Sequence, residues 1–138
     1  MEKVVLRFMD GSTLKGYVEN FTPFDDIVEI KKITGEKEVV PIDRLKAIFF
    51  VKTFEGDPEY SERKAFSISG IRLKRVFVKF KDGEAMTGYI EGEIPWQKGF
   101  FLEQGKKNGF LLLPTDDKSN NIKVYVVAKA VKDVTLVG

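Results

Sequence analysis

Val4-Val5-Leu6-Arg7-Phe8-Met9-Asp10-Gly11 and, 72 residues further on, Val76-Phe77-Val78-Lys79-Phe80-Lys81-Asp82-Gly83 carry one pattern twice. The match continues from Lys15-Gly16-Tyr17-Val18-Glu19 into Thr87-Gly88-Tyr89-Ile90-Glu91, and seven of the sixteen positions from 4 to 19 are identical in the second copy. Self-similarity at a fixed offset is the mark of a duplicated structural unit. The ends agree as well, because Val40-Pro41-Ile42-Asp43-Arg44-Leu45-Lys46-Ala47-Ile48-Phe49-Phe50-Val51 resembles Val126 to Val137 at an offset of 86. The second copy is therefore 14 residues longer in its middle.

Within each copy the period is two. Val4, Leu6 and Phe8 fall on one side of an extended chain and Val5, Arg7 and Met9 on the other, which predicts a strand with one core face. Asp10-Gly11 and Asp82-Gly83 are turn signals, since glycine accepts positive φ without a Cβ clash. A second strand follows, carrying Gly16 or Gly88 where the missing side chain lets it bend around a small barrel. Ile27 to Lys32 and Glu38 to Ile42 read as a hairpin about Thr34-Gly35, Asp43 to Lys46 has room for one helical turn, and Ala47 to Lys52 closes the unit. In the second copy Gly99 to Gln104, Gly109 to Pro114 and Ile122 to Ala128 are the expected strands, and the extra residues lengthen the hairpin turning at Gln104 to Asn108. Five strands with one short turn before the last resemble an Sm-like small barrel. The expected fold is all-β, with a first barrel over residues 1–52, a linker over 53–71 packed through Phe54, Tyr60 and Phe66, and a second barrel over 72–138.

Composition narrows the chemistry. With 43% hydrophobic and 12% aromatic residues in 138, the chain has material for real cores and is not disordered. It contains no Cys and no His, which removes disulfide frames, the usual zinc sites, Cys or Ser-His nucleophile systems and an imidazole base. Neither a Gly-rich phosphate loop nor a carboxylate pair in an apolar setting stands out. The expectation is a protein that is not an enzyme and uses no metal or cofactor. Net charge is only +2, but residues 71–138 hold 12 basic and 8 acidic side chains against 11 and 13 in residues 1–70, so a polyanion would prefer the second half. No apolar run approaches the roughly 18 residues of a membrane span, and Met1-Glu2-Lys3 leads directly into a strand pattern, so a cytoplasmic location is expected. Abundant Lys and Glu beside scarce Asn and Gln match the drift of thermophilic proteins.

Two resemblances add to this. Asn20-Phe21-Thr22-Pro23-Phe24-Asp25-Asp26-Ile27-Val28-Glu29-Ile30 resembles the segment of Sm-type proteins where strand two turns into strand three. In that family the turn lends an acidic residue and an Asn to an RNA-base pocket completed by an Arg-Gly pair. Here the matching positions hold Thr22 and Asp26, and the pair is replaced by Asp43-Arg44, so the resemblance implies the fold and not the RNA pocket. A wider likeness runs through Leu45 to Gly56, Asp82-Gly83-Glu84 with Gly88-Tyr89, Leu113 to Asn121 and Val124 to Val127. These blocks resemble a bacterial family of unknown function that occurs alone or beside signalling domains including PilZ. The chain differs from that family in having both Gly99-Phe100-Phe101-Leu102 and Gly109 to Leu113 where one such strand is usual.

Three groups of residues are candidate binding sites. Ile94-Pro95-Trp96-Gln97-Lys98-Gly99-Phe100-Phe101 is the most apolar turn region, and Trp96, Phe100 and Phe101 would anchor a protein interface or fold back between the barrels. Ser119, Asn120 and Asn121, after Asp116-Asp117, offer paired donors and acceptors for a polar ligand or else close an Asx turn. Arg72, Lys74, Arg75, Phe77, Lys79 and Lys81 form the local basic cluster, an alternative nucleic-acid face. Strand alternation puts 75, 77, 79 and 81 on one side, which also suits an ordinary solvated face. The functional expectation is a non-catalytic binding or scaffolding module in bacterial signalling, with a protein partner or self-association and no membrane. The alternatives are an RNA-binding Sm-like protein and a degenerate PilZ-like cyclic-dinucleotide receptor.

Overall fold

Leu45-Lys46-Ala47-Ile48-Phe49-Phe50-Val51 contains six apolar residues in seven, and all seven are buried in a computed structural model of the chain. Strands covered on one face alternate apolar and polar residues, whereas an unbroken apolar run belongs to a strand covered on both faces. The rest of the architecture is organised around this strand. The structure describes residues 1–22, 25–54, 73–91, 108–115 and 119–137.

The first copy of the pattern forms β1 (Glu2–Phe8), β2 (Thr13–Val18), β3 (Ile27–Lys32), β4 (Lys37–Pro41), a 3-10 turn (Ile42–Arg44) and β5 (Leu45–Val51). The second forms β6 (Leu73–Phe80), β7 (Ala85–Glu91), β8 (Gly109–Leu112), β9 (Asn121–Val127), a 3-10 turn (Ala128–Ala130) and β10 (Val131–Leu136). The all-β expectation holds, but the strands form two sheets, neither closed into a barrel. One sheet has seven strands in the order β4-β3-β2-β1-β5-β9-β8 and the other has three in the order β10-β6-β7. The expected pair of five-stranded barrels is not confirmed: β9 hydrogen-bonds along β5, so described strands of both copies share one sheet. A single bridge between Tyr89 and Leu113, whose N–H groups each donate to the other's carbonyl at 2.9 and 2.8 Å, connects β7 to the residue after β8. Counted through that bridge, the second copy reads β9-β8-β7-β6-β10, the same relative order as β4-β3-β2-β1-β5.

Local geometry matches between copies. Phe8 N–H donates to Ser12 O and Gly11 N–H to Phe8 O, while Phe80 N–H donates to Glu84 O and Gly83 N–H to Phe80 O. Gly11 and Gly83 sit at φ 91° and 96°, the left-handed region that the Asp-Gly signals anticipate. Gly16 and Gly88 serve close approach: a Cβ would lie 2.4 Å from Lys31 O in the first case and 2.6 Å from Leu113 O in the second. Phe54 packs edge-on against Tyr17 with ring centroids 5.5 Å apart. Tyr60, Phe66 and the strand expected at Gly99 to Gln104 lie outside the described residues.

Two cores result, and each draws on both copies. Ala47, Phe49 and Val51 of β5 join Val76, Val78, Phe80, Ile90, Phe110, Leu112, Val124 and Val126. Ile48 and Phe50 face the opposite way with Val4, Leu6, Val28 and Ile30, and this second core also takes in Tyr125 and Val127 of β9. Tyr125 is fully buried and meets Phe21 edge-on at 4.9 Å between centroids. Room for its ring depends on Gly109, where a Cβ would fall 3.1 Å from Tyr125 Cζ and 1.9 Å from Val126 O.

Because Tyr125 is donated by the second copy to the core of the first, Tyr125→Ala is expected to cost the ~3–5 kcal/mol typical of truncating a large buried aromatic. Denaturant unfolding should show one shifted transition for the whole chain, and a split into two transitions would mean that the cores are independent.

Candidate functional site

The junction between the copies is built from the hairpin turns as well as from the shared sheet. Along β1 and β5 the register slips, with Arg7 opposite Ala47 and Phe8 opposite Leu45, so Lys46 is the extra residue of a β-bulge. A bulge re-aims a side chain. Lys46, only 5% exposed, projects into the turn between β6 and β7, where Nζ donates to Asp82 Oδ2 at 2.7 Å and to Glu84 Oε1. Its ammonium also lies 4.6 Å from the Phe80 ring centroid. Arg7 joins the group, 3.7 Å from Glu84 and 5.0 Å from the centre of the Phe49 ring. The hydrogen bond from Lys46, and after it the N–H of Glu84, holds the Asp82 carboxyl below the usual carboxylate range.

Beside this seam, on the side of the two 3-10 turns, a cavity of about 220 Å³ is lined by Asp26, Pro41, Ile42, Asp43, Asn108, Val127 and Lys129. Asn108 Nδ2 donates to Asp25 O at 2.5 Å, Ile42 N–H to Asp26 O at 2.9 Å, and Lys129 lies 3.8 Å from Asp43. The fold thus brings Asp26 and Asp43 to one cavity. Arg44 instead turns to Phe8, 5.6 Å from its ring centroid, and the exposed Thr22 takes part in a local turn in which its N–H donates to Asp25.

The polar loop before β9 ties the chain to itself. Asn120 Oδ1 accepts from Thr53 N–H at 3.1 Å and Thr53 Oγ1 at 3.2 Å, its Nδ2 donates to Thr53 O at 3.0 Å, and its carbonyl accepts from Lys52 N–H. Ser119 Oγ accepts from Asn121 N–H at 3.1 Å, the local Asx-like closure. On β6, alternation sorts the basic cluster. Exposed Arg75, Phe77 and Lys79 share a face with Thr87 and Tyr89 of β7, while half-buried Lys74 lies on the other side and Lys81 sits in the turn. Arg72, Trp96, Phe100 and Phe101 lie outside the described residues. Among the described residues no three His, Cys, Asp or Glu side chains gather as a metal site, and no helix is long and apolar enough to cross a membrane.

Sequence reasoning missed Lys46, Tyr125 and the way β5 and β9 share an edge. The signal for Lys46 was present, as it is the one charge inside an apolar run. Its partners, 36 and 38 residues away, were not legible.

The sequence profile of a family of unknown function, DUF6982, matches residues 1–138. The chain belongs to that family. No curated protein and no solved structure matches it. For this DUF6982 member the junction and its flanking edges are therefore the features from which function has to be argued.

A carboxylate whose pKa is lowered by folding adds stability that is present at neutral pH and lost as pH falls through the folded-state value, below about 4. Thermal midpoints between pH 7 and acid pH should therefore fall less steeply for Asp82→Asn than for the unmodified chain. Removing both partners, with Asp82→Asn and Glu84→Gln, strands a buried ammonium and should lower the neutral-pH midpoint more than Lys46→Met, which leaves only exposed carboxylates. The reverse order would show that the cluster does not hold the junction.

Proposed function

We propose that this DUF6982 chain is a tandem of two Sm-like units fused through β5 and β9, and that it works as a non-catalytic binding or scaffolding module for protein partners in bacterial signalling. What carries the reading is the repeated strand order among the described residues, in which β5 and β9 meet in the fusion and, counted through the Tyr89–Leu113 bridge, β4 and β10 stand as the outer edges. Open sheet edges are sites where proteins add strands from a partner. The family likeness to chains that accompany PilZ and other signalling domains supports the setting.

A second reading has a specific observation behind it. Arg75 and Lys79 flank Phe77, which is 40% exposed on the outer face of the three-stranded sheet, an arrangement able to stack a base and hold phosphates. Salt separates the two, since nucleic-acid affinity falls steeply with ionic strength through counterion release. Capture from native lysate, with proteins and nucleic acids recovered from the same beads at low and high salt, is expected to retain a protein through the high-salt wash. Recovery of nucleic acid alone, lost as salt rises and abolished by Phe77→Ala with Lys79→Ala, would replace the scaffold reading with the second.

A further inference from the structure

β10 stands in the second copy where β5 stands in the first. Each follows a 3-10 turn, each pairs antiparallel with the opening strand of its copy, and each slips register at a lysine, Lys46 in β5 and Lys132 in β10. The difference lies on the other edge. β5 is covered there by β9, whereas β10 ends its sheet with no described strand beyond it. Matched residues differ in cover: Phe50 and Val51 are 2% and 5% exposed, and Leu136 and Val137 are 52% and 38% exposed.

The two faces of β10 tell which occupant fits. In β5 the side chains that enter the other copy's core are Ala47, Phe49 and Val51. In β10 the first two of these positions hold Asp133 and Thr135, both exposed, and only Val137 at the third is apolar, so this face lacks the row of apolar residues with which β5 enters the other copy's core. The opposite face keeps its apolar residues, with Val134 packed on the core and Leu136 bare beside it. An edge that is apolar on one side and mainly polar on the other fits a single extended strand, and a second folded copy would need both sides to be apolar.

Resting on the scaffold reading, we infer that the outer edge of β10 receives one extended segment of a partner protein, antiparallel, whose residues alternate between apolar ones beside Val134 and Leu136 and basic or hydroxyl ones beside Asp133 and Thr135. The pairing of β9 on β5 supplies the template: Ala47 faces Val126, Ile48 faces Tyr125 and Phe49 faces Val124. Transferred to β10, this register sets one partner residue opposite Asp133, where charge complementarity calls for a lysine in place of the template's Val126, and a large apolar residue opposite Val134 in the place of Tyr125. Main-chain hydrogen bonds provide affinity, and the alternating side chains provide selectivity.

The test uses the full chain and a synthetic peptide about eight residues long, the length of an ordinary strand, alternating Lys or Thr with Val or Tyr. Titration followed by amide NMR is expected to perturb residues 131–137 first, and proline in the peptide centre should abolish binding by removing a ladder donor. Asp133→Lys should weaken the Lys peptide about three- to tenfold and strengthen a Glu-for-Lys version, while Thr135→Glu should shift both in the opposite sense. These exchanged preferences could not come from a folding defect. The inference is overturned if the Lys peptide shows no saturation by about 1 mM, if its shifts map away from β10, or if charge exchange leaves both affinities unchanged. Concentration-dependent self-association of the unliganded chain, removed by Asp133→Lys, would also overturn it by making a second copy the occupant. Should the peptide fail while lysate capture still retains a protein through high salt, the assignment to β10 falls and the scaffold reading stands.

Discussion

The pairing of β5 with β9 is the constraint on which the other features depend. β5 along its whole length and β9 from Val124 to Val127 are buried on both faces, so their alternate side chains feed two cores at once. The hydrophobic gain from burying Phe49 and Phe50 on opposite sides of one strand is collected only if both copies are folded and docked. This couples the cores without needing a large additional interface. It also accounts for the run Leu45 to Val51, since a strand with no solvent face has no position at which a polar residue is tolerated without a partner.

Lys46 is the exception within that run. A buried ammonium is costly unless it is paired and hydrogen-bonded, and here two carboxylates from the other copy satisfy it. The bulge places its side chain out of the strand's alternation and toward the β6–β7 turn. Its counterpart Lys132 lies in the matching bulge and is exposed, and the matching turn at the start of the chain holds Asp10 and Ser12 in place of Asp82 and Glu84. Asp10 is occupied locally, accepting hydrogen bonds from the N–H and hydroxyl of Ser12, which lower its pKa. Equivalent positions in the two copies have thus diverged into one that closes a junction and one that faces solvent.

The same divergence shapes the surface. Inner edges carry Ala47, Phe49, Tyr125 and Val127, all buried, while the matched outer positions carry Asp133, Thr135, Val39 and Pro41, all exposed. Charge and proline on an edge oppose indiscriminate strand addition. Membership of a family of unknown function leaves activity to be argued from such features.

Much of this was legible in the sequence. The duplicated Val4 to Glu19 pattern, the Asp-Gly turns and the two-residue alternation marked the strands among the described residues and the one-turn link before β5, because these are set by local sterics and by which face of a strand is apolar. The glycines at 16 and 88 were recognisable as special, though the oxygens that occupy the space of their missing Cβ belong to residues 15 and 25 positions downstream. Which edges meet, where Lys46 finds its carboxylates, and which core receives Tyr125 were decided only by the tertiary structure. Hydrogen-bonding capacity is the same along every strand edge, and the choice among edges depends on apolar faces and charges far apart in the chain. Only when the chain is folded do those faces and charges come within contact distance.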